Sequence, residues 1–132
     1  MAIAYPTRKY KDLNLDLPVH PVTDDLVYLQ DEAAVKRSIR NLVLTNFGER
    51  PFRPEFGSGV QQSLFEPLSM FTKITLEKAV SSIIEQNERR VRLVAVNATI
   101  SSENNGYDLT INYELLNIKA LDSVTVFLQR VR

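Results

Sequence analysis

The sequence predicts an α+β fold in which two main helices pack on an antiparallel sheet that ends in a C-terminal three-stranded meander. Two long segments carry apolar residues at helical spacing, and the last third of the chain carries three β-branched or alternating runs. An Asn-Asn-Gly sequence between two of these runs is typical of a hairpin turn. The 132 residues fit one domain, 1–132, and no shift in composition indicates a boundary within it.

The first thirty residues predict short N-terminal strands or an extended arm. Apolar residues alternate in two stretches that are separated by the turn-forming segment HPVTDD. Pro18 and Pro21 cannot donate to a strand ladder, so this region belongs at a sheet edge or in a loop. The alternating positions are Leu13, Leu15, Leu17 and Val19, followed by Leu26, Tyr28 and Gln30.

The first long helix is predicted from Asp31 to about Phe47. Asp31 is a suitable N-cap, Glu32 suits the first turn, and Gly48 suits the position just after the last turn. The predicted buried stripe consists of Ala34, Val35, Ile39, Leu42 and Val43.

A short helical turn and a second long helix are predicted in the middle of the chain. The turn covers residues 60–66, with Leu64 and Phe65 directed inward, and Pro67 stops it. Thr72 or Thr75 can cap the long helix, which we expect to end around Asn87. Its predicted buried stripe consists of Leu76, Ala79, Val80, Ile83 and Ile84.

Three strands are predicted after the second helix. They cover residues 91–101, residues 107–116 and a final run over residues 123–132, with the hairpin turn at Asn104–Gly106. The middle strand alternates strictly, which predicts that one face of it is buried. The residues expected on that face are Tyr107, Leu109, Ile111, Tyr113 and Leu115.

Composition excludes several classes of function. The chain has no cysteine and one histidine, His20, so it cannot form disulfides, zinc ribbons, thiol nucleophiles or sites with two imidazoles. Sixteen basic residues balance sixteen acidic ones, which argues against nucleic-acid and anionic-membrane partners. No secretory h-region and no transmembrane run of about eighteen apolar residues occurs. We therefore expect a soluble protein made in a reducing cytoplasm, with no cofactor, metal or catalytic residue.

The segment GERPFRPEFGSGVQQSLFEP, residues 48–67, is the most distinctive part of the sequence. Pro51 and Pro54 restrict the backbone, whereas Gly57 and Gly59 permit positive φ, so we expect a shaped loop. Apolar anchors beside arginines are typical of an interface core. The alternative is that the phenylalanines are buried and the loop serves folding. The predicted partner-binding residues are Arg50, Pro51, Phe52, Glu55 and Phe56.

Carboxylates in this segment raise the alternative of a hydrolase. Glu49, Glu55 and Glu66 lie in or near the loop, and glycosidases use two carboxylates that flank the scissile bond. Their closeness to Arg50 and Arg53 is explained more simply by ion pairing or solvation. We therefore predict that the loop is not an active site.

Two further surfaces are predicted to contact partners. Arg89 and Arg90 follow the second long helix, whose C-terminal end carries partial negative charge. That end favours the two arginines but disfavours the carboxylate of Glu88. The alternative for this corner is helix-surface pairing of Glu85 with Arg89 or of Glu88 with Arg92. The second surface is the C-terminal strand, whose edge would accept another strand unless Arg130 and Arg132 block it. Its predicted contact residues are Val124, Val126 and Leu128.

The chain resembles a known family, the small baseplate wedge proteins of contractile bacteriophage tails. Relatives of that family include a baseplate protein of type VI secretion systems, and the family is also called lysozyme-like. The resemblance rests on GERPFRPEFGS, on the LFEP that follows, on the next helix and on the corner at residues 88–90. It spans roughly residues 31–132, and the RPF-PEFG core is its most specific part.

The resemblance implies a structural subunit of the virion tail baseplate, assembled in the host cytoplasm. The implied partners are the core bundle of larger wedge subunits, tube-proximal baseplate proteins and the tail sheath protein. The chain would act as a template for the first sheath ring by strand pairing. A Glu-Pro-Arg triplet of the family falls on residues 88–90, which makes Glu88 and Arg90 partner contacts, while Arg89 replaces the proline. The alternatives are a peptidoglycan hydrolase and the equivalent structural protein of a type VI secretion or extracellular injection baseplate.

Overall fold

A computed structural model describes residues 9–130 and has the predicted α+β fold. Two antiparallel sheets are present in this part of the chain, one of two strands and one of three. No helix within residues 9–130 is long and apolar enough to cross a membrane. The elements are β1 (Lys11–Leu13), β2 (Tyr28–Gln30), α1 (Asp31–Leu44), α2 (Val60–Ser63), α3 (Met70–Asn87), β3 (Val91–Ser101), β4 (Gly106–Leu115) and β5 (Ala120–Gln129).

The three-stranded sheet is an antiparallel meander in the order β3-β4-β5. The predicted hairpin turn is confirmed, with Asn105 at a positive φ of 50°. The predicted buried face of β4 is also confirmed, because all five of its alternating residues are fully buried. This face lies against α1 and α3, and it forms the centre of the core.

The two long helices bury the stripes that their spacing predicts. All five predicted residues of α1 are buried, and so are those of α3 except Ala79, which is half-buried. Burial of a single aliphatic side chain of this kind contributes roughly 1.5–3 kcal/mol. α3 packs mainly on β3 and α1 on β5, so the helices form one layer over one face of the sheet.

The start and end of α1 differ from the prediction. Gln30 is the N-cap, and the carboxylate of Asp31 instead accepts hydrogen bonds from the Tyr10 N–H at 3.0 Å and the Asn117 amide at 2.9 Å. The helix ends at Leu44, three residues earlier than predicted. It stops there because the chain turns away at Thr45, whose carbonyl accepts a bond from the Ser58 N–H.

The start of α3 and the direction of one aromatic residue also differ from the prediction. Ser69 is the N-cap of α3, and its hydroxyl accepts the Thr72 N–H at 3.1 Å. Thr72 is buried one turn later and donates its hydroxyl to the Pro67 carbonyl. Leu64 is buried as expected, but the expectation for Phe65 was wrong, because α2 ends at Ser63 and Phe65 is 63 % exposed.

The N-terminal segment pairs β1 with β2 from Lys11↔Gln30 to Leu13↔Tyr28. Each strand has three residues, and between them a single bridge joins Val19 to Leu26. The intervening prolines keep this region out of any longer ladder. At the other end, β5 stops at Gln129 and does not include Arg130, contrary to the prediction, and residues 131–132 lie outside the described residues.

Candidate functional site

The distinctive loop is folded back on the end of α1 by hydrogen bonds at its base. The Ser58 N–H donates to the Thr45 carbonyl at 3.0 Å, and the buried Ser58 hydroxyl donates to the Val43 carbonyl at 2.6 Å. Gly57 lies so close to the backbone of Asn46 that a Cβ would be 2.6 Å from it. The loop is therefore a shaped structure, as its prolines and glycines predict.

The tip of the loop is a β-turn that presents Phe52 to solvent. The Arg53 N–H donates to the Arg50 carbonyl at 3.2 Å, which places Pro51 and Phe52 at the two central positions. Phe52 has a φ of +65°, the value that a type II turn requires at its second central position and that normally selects glycine. Its side chain is 100 % exposed. A large aromatic residue thus occupies a position where it gains no burial and costs about 1–2 kcal/mol in backbone strain.

The other aromatic residue of the loop is directed toward the protein. Phe56 is half-buried and packs against the core, and the Arg50 guanidinium lies 4.6 Å from the centre of its ring. The interpretation of the loop as a folding element therefore applies to Phe56. The interpretation as an interface applies to Phe52, which makes no contact with the core.

The corner after α3 is an ion-pair network centred on Arg90. Glu88 is 6 % exposed, and its carboxylate accepts two bonds from the Arg90 guanidinium, at 2.7 and 2.9 Å, and one from the Ser38 hydroxyl at 2.6 Å. Arg90 also donates to the Asp12 carboxylate at 2.8 and 3.0 Å, and it lies 5.7 Å from the ring centre of Tyr10. The network joins β1, α1 and the end of α3.

The protonation of this network follows from its contacts. Burial alone would raise the pKa of Glu88, but hydrogen bonds from Arg90 and Ser38 and the charge of Arg90 outweigh burial and hold that pKa below its ordinary range. The hydrogen bonds that Arg90 donates to Glu88 and Asp12 raise the pKa of Arg90, although burial opposes them. Glu88 and Arg90 are therefore both ionised at neutral pH.

The helix-surface pairs offered as the alternative for this corner do not form within residues 9–130. Arg92 pairs with Glu114 on the neighbouring strand, and Glu88 pairs with Arg90 instead of Arg92. Arg89 is exposed and makes no ion pair with any described residue. Of the three corner residues, Arg89 has the side chain that is free for contact with another molecule.

The loop and the corner line one open groove of about 870 Å³. Its walls come from the N-terminal segment, α1, the loop and the exit of α3. Leu13, Leu15 and Leu29 give it an apolar side, and five arginines outnumber three carboxylates along it. The arginines are Arg37, Arg50, Arg53, Arg89 and Arg90, and the carboxylates are those of Asp12, Glu49 and Glu88. Glu55 does not line this groove, whereas Pro51 and Phe56 do.

The third predicted surface, β5, is at one edge of the sheet. The side chains of Val124, Val126 and Leu128 are buried in the core, so these three residues can offer a partner only their backbone. The Arg130 N–H donates to the Asn105 carbonyl, and the alternation of an antiparallel ladder then directs the backbone groups of the odd-numbered residues outward. These residues are Leu121, Ser123, Thr125, Phe127 and Gln129.

The two edges of the sheet are not equivalent. On β3, the outward N–H of Ala98 is taken by the carboxylate of Glu77 on α3, at 2.8 Å. On β5, the Ser123 N–H bonds to the side chain of its neighbour Asp122 at 2.7 Å, and the other outward N–H groups have no partner among residues 9–130. The carboxylate on β3 comes from another element, α3, whereas the one on β5 comes from the adjacent residue, so a strand can add to β5 without displacing another element.

Sequence reasoning missed several residues that build these surfaces. Asp12 and Ser38 are 78 and 50 residues away from the partners they contact, and no local pattern connects residues so far apart. Glu77 on α3 accepts the N–H of Ala98 on β3, 21 residues away, which no local pattern indicates either. Within residues 9–130, no group of three His, Cys, Asp or Glu side chains is placed to hold a metal ion.

Comparison with known families and proteins gives a consistent result. The family model described as baseplate wedge protein gp25 matches residues 29–119. Baseplate wedge protein gp25 of Enterobacteria phage T4 is 36 % identical over 64 residues, which are 48 % of each protein. The chain thus spans about half the length of this relative.

Solved structures share the fold at lower sequence identity. A putative tail lysozyme from Geobacter sulfurreducens has a TM-score of 0.69 and 23 % identity over 74 % of this chain and 89 % of its own. A chain of the anti-feeding prophage baseplate has a TM-score of 0.64 and 18 % identity, over 94 % of this chain and 88 % of its own. A chain of the postcontracted pyocin R2 baseplate has a TM-score of 0.58 and 20 % identity, over 90 % and 99 %.

Proposed function

The chain belongs to the family of baseplate wedge protein gp25, and from this premise we propose that it is a structural subunit of a contractile-tail baseplate. In this proposal the groove binds the core bundle of the larger wedge subunits, and β5 pairs with a strand of the tail sheath protein to start the first sheath ring. Tube-proximal baseplate proteins are further partners. The observation that carries the proposal is that the loop and the corner, predicted separately, line the same groove.

The groove has the chemistry of a protein-binding surface. Arg50, Arg53 and Arg89 line it without a carboxylate partner among the described residues, so they can pair with acidic groups of another chain. The leucine side supplies apolar contact, and Phe52 is a fully exposed aromatic anchor on the same loop. Aromatic and arginine residues are the side chains that contribute most to hot spots. Glu88 and Arg90 act indirectly, since their network fixes the position of the corner.

The edge of β5 supports the proposed role in sheath initiation. Strand addition needs a row of unpaired backbone groups, and the outward groups of Thr125, Phe127 and Gln129, which have no partner among the described residues, supply one. Affinity then comes from main-chain hydrogen bonds, so the burial of the Val124, Val126 and Leu128 side chains is compatible with this mode of binding.

A peptidoglycan hydrolase is not supported by the carboxylates of the groove. A glycosidase needs a general acid whose pKa is raised. Hydrogen bonds from the backbone N–H and the side-chain amide of Asn46 lower the pKa of Glu49, and the pKa of Glu88 is also below its ordinary range. Glu55 and Glu66 lie outside the groove. We therefore propose a non-enzymatic role.

Copurification with wedge subunits tests the groove. We expect Phe52→Ala and Arg89→Ala to leave the chain folded, because both side chains are exposed, and to reduce its recovery in wedges at least tenfold. The matched controls are Phe71→Ala and Lys78→Ala, two exposed residues of α3 outside the groove. Phe52 lies on the loop beside the groove and Arg89 lines it, so recovery of both variants at the control level would refute the proposal for the loop and the groove.

A further inference from the structure

A second, smaller cavity of about 140 Å³ lies where the end of β5 meets α1 and α2. Its floor consists of buried aliphatic side chains, and its rim is polar and carries no charge. The floor residues are Val43, Val60, Leu64 and Leu128, and the polar rim residues are Asn46, Gln61 and Gln129. Leu44, which is half-exposed, completes the apolar lining.

The cavity reaches the open edge of the sheet. Phe127 borders it, yet the Phe127 ring is directed across the other face of the sheet, where a Cβ on Gly106 would lie 2.9 Å from it. Phe127 therefore meets the cavity at its backbone. Its N–H and C=O are among those that point outward from β5, so the apolar floor and the unpaired edge are adjacent.

We infer that this cavity is a socket for one aliphatic side chain of the strand that adds to β5. The inference rests on the proposed strand pairing and specifies the partner's chemistry. In an added strand, the residue opposite Leu128 projects its side chain to the same face as Leu128, over the helix layer and toward the cavity. Leucine, isoleucine, valine or methionine suits that position. A charged side chain does not, because the floor offers it no partner.

The socket gives the added strand a register. Backbone hydrogen bonds alone repeat every two residues and do not distinguish one register from the next along β5. A slip of one residue turns the aliphatic side chain to the opposite face. A slip of two residues places it opposite Val126, away from the cavity between α1 and α2. One apolar side chain thus selects one pairing among several.

Peptide binding tests the socket. The probes are overlapping 12-residue peptides covering the tail sheath protein of the same particle, and their binding to the full chain is measured by fluorescence anisotropy. We expect a binding peptide in which replacement of one aliphatic residue by alanine weakens binding about tenfold, whereas replacement of its neighbours has a smaller effect. Thermal unfolding verifies that each protein variant is folded.

Two protein variants separate the socket from the strand pairing. Gln61→Trp places a large ring at the mouth of the cavity, and Gln62→Trp is the matched control, because Gln62 is also an exposed α2 residue but lies outside the cavity. We expect Gln61→Trp to weaken the binding of the unmodified peptide about tenfold and to abolish the effect of the alanine replacement. We expect Gln62→Trp to change neither.

Each remaining outcome has a definite meaning. If a peptide binds and Thr125→Pro, which removes an outward N–H of β5, abolishes binding while Gln61→Trp has no effect, the strand pairing stands and the socket is refuted. If no sheath peptide binds the unmodified chain, the proposed strand pairing fails, and the socket fails with it.

Discussion

At the scale of single residues, Phe52 combines two unfavourable properties at one position. It is fully exposed, and its backbone has the positive φ that a type II turn normally gives to glycine. Neither property stabilises the isolated chain. A residue that costs folding free energy and gains no burial is most simply explained by contact with another molecule.

The variant Phe52→Gly separates the folding role of this position from its binding role. We expect the free energy of unfolding to stay constant or to rise by up to about 1 kcal/mol, because glycine adopts positive φ without strain but is more flexible when unfolded. Recovery in wedges should fall as it does for Phe52→Ala. The measurements are urea unfolding and copurification. A loss of stability above about 1 kcal/mol would contradict the exposed, strained state of Phe52.

The carboxylate of Glu88 is expected to control both stability and its pH dependence. Glu88→Gln removes the charge that pairs with Arg90, and loss of one partner of a buried pair costs about 3 kcal/mol. The folded pKa of Glu88 lies below the unfolded value of about 4.3, so the unfolded state binds more protons as the pH falls. The stabilisation is therefore complete above about pH 5 and is lost as the pH drops toward the folded pKa.

Urea unfolding over a range of pH measures this effect. The difference in unfolding free energy between the natural chain and Glu88→Gln should be largest at neutral pH and should shrink in acid. Glu85→Gln, an exposed position on the same helix, should follow the natural chain throughout. Equal pH dependence in the natural chain and Glu88→Gln would refute the assignment.

At the scale of elements, β5 contributes its side chains to the core and its backbone to the edge of the sheet. Its buried side chains hold the sheet to the helices, and its outward N–H groups, except that of Ser123, have no partner among residues 9–130. Thr125→Pro removes one outward N–H and leaves the ladder to β4 intact, because proline is tolerated on an edge strand when its nitrogen faces solvent. We expect this variant to enter wedges normally and to prevent sheath growth on completed baseplates.

Electron microscopy of assembled particles provides the measurement for β5. Thr125→Val keeps the N–H and a β-branched side chain, so sheath should grow on it as on the natural chain. Sheath of normal length on particles that contain Thr125→Pro would refute the role of β5 as a template.

The elements also show which features were predictable from sequence. The strands and the stripe of α3 follow from local periodicity, and β4 buries every residue that its alternation predicts. The end of α1 is set by the bond between Thr45 and Ser58, which depends on how the loop folds back, whereas the start of α3 is set by the local cap of Ser69. Phe65 is apolar but exposed, since a short turn carries no periodicity that fixes its direction.

At the scale of the whole molecule, side-chain contacts attach the N-terminal strand pair to the rest of the chain. Arg90 binds Asp12, Arg37 binds Asp16 through two bonds at 2.9 and 3.0 Å, and Asp31 binds the backbone of Tyr10. None of these contacts joins residues close in sequence. The groove exists because of them, which is why sequence reasoning identified its parts but not their convergence.

Removal of the contact between Arg90 and Asp12 should loosen the strand pair without unfolding the core. We expect Asp12→Asn to cost less than about 1 kcal/mol, since both side chains are partly exposed, and to raise the exchange rates of the β1 and β2 amides up to about fivefold. Amides of α3 and β4 should exchange as before. Native-state hydrogen exchange is the measurement, and equal acceleration throughout the chain would contradict a local attachment.

The unequal edges of the sheet also bear on how many copies can associate. A repeating filament needs two complementary edges on every copy, one to receive and one to be received. Here Glu77 of α3 holds the N–H of Ala98 near the middle of β3, so a strand that adds to β3 must displace this carboxylate, whereas a strand that adds to β5 displaces no other element. The two edges therefore differ, and a copy that pairs through β5 presents the next copy with an edge of another kind.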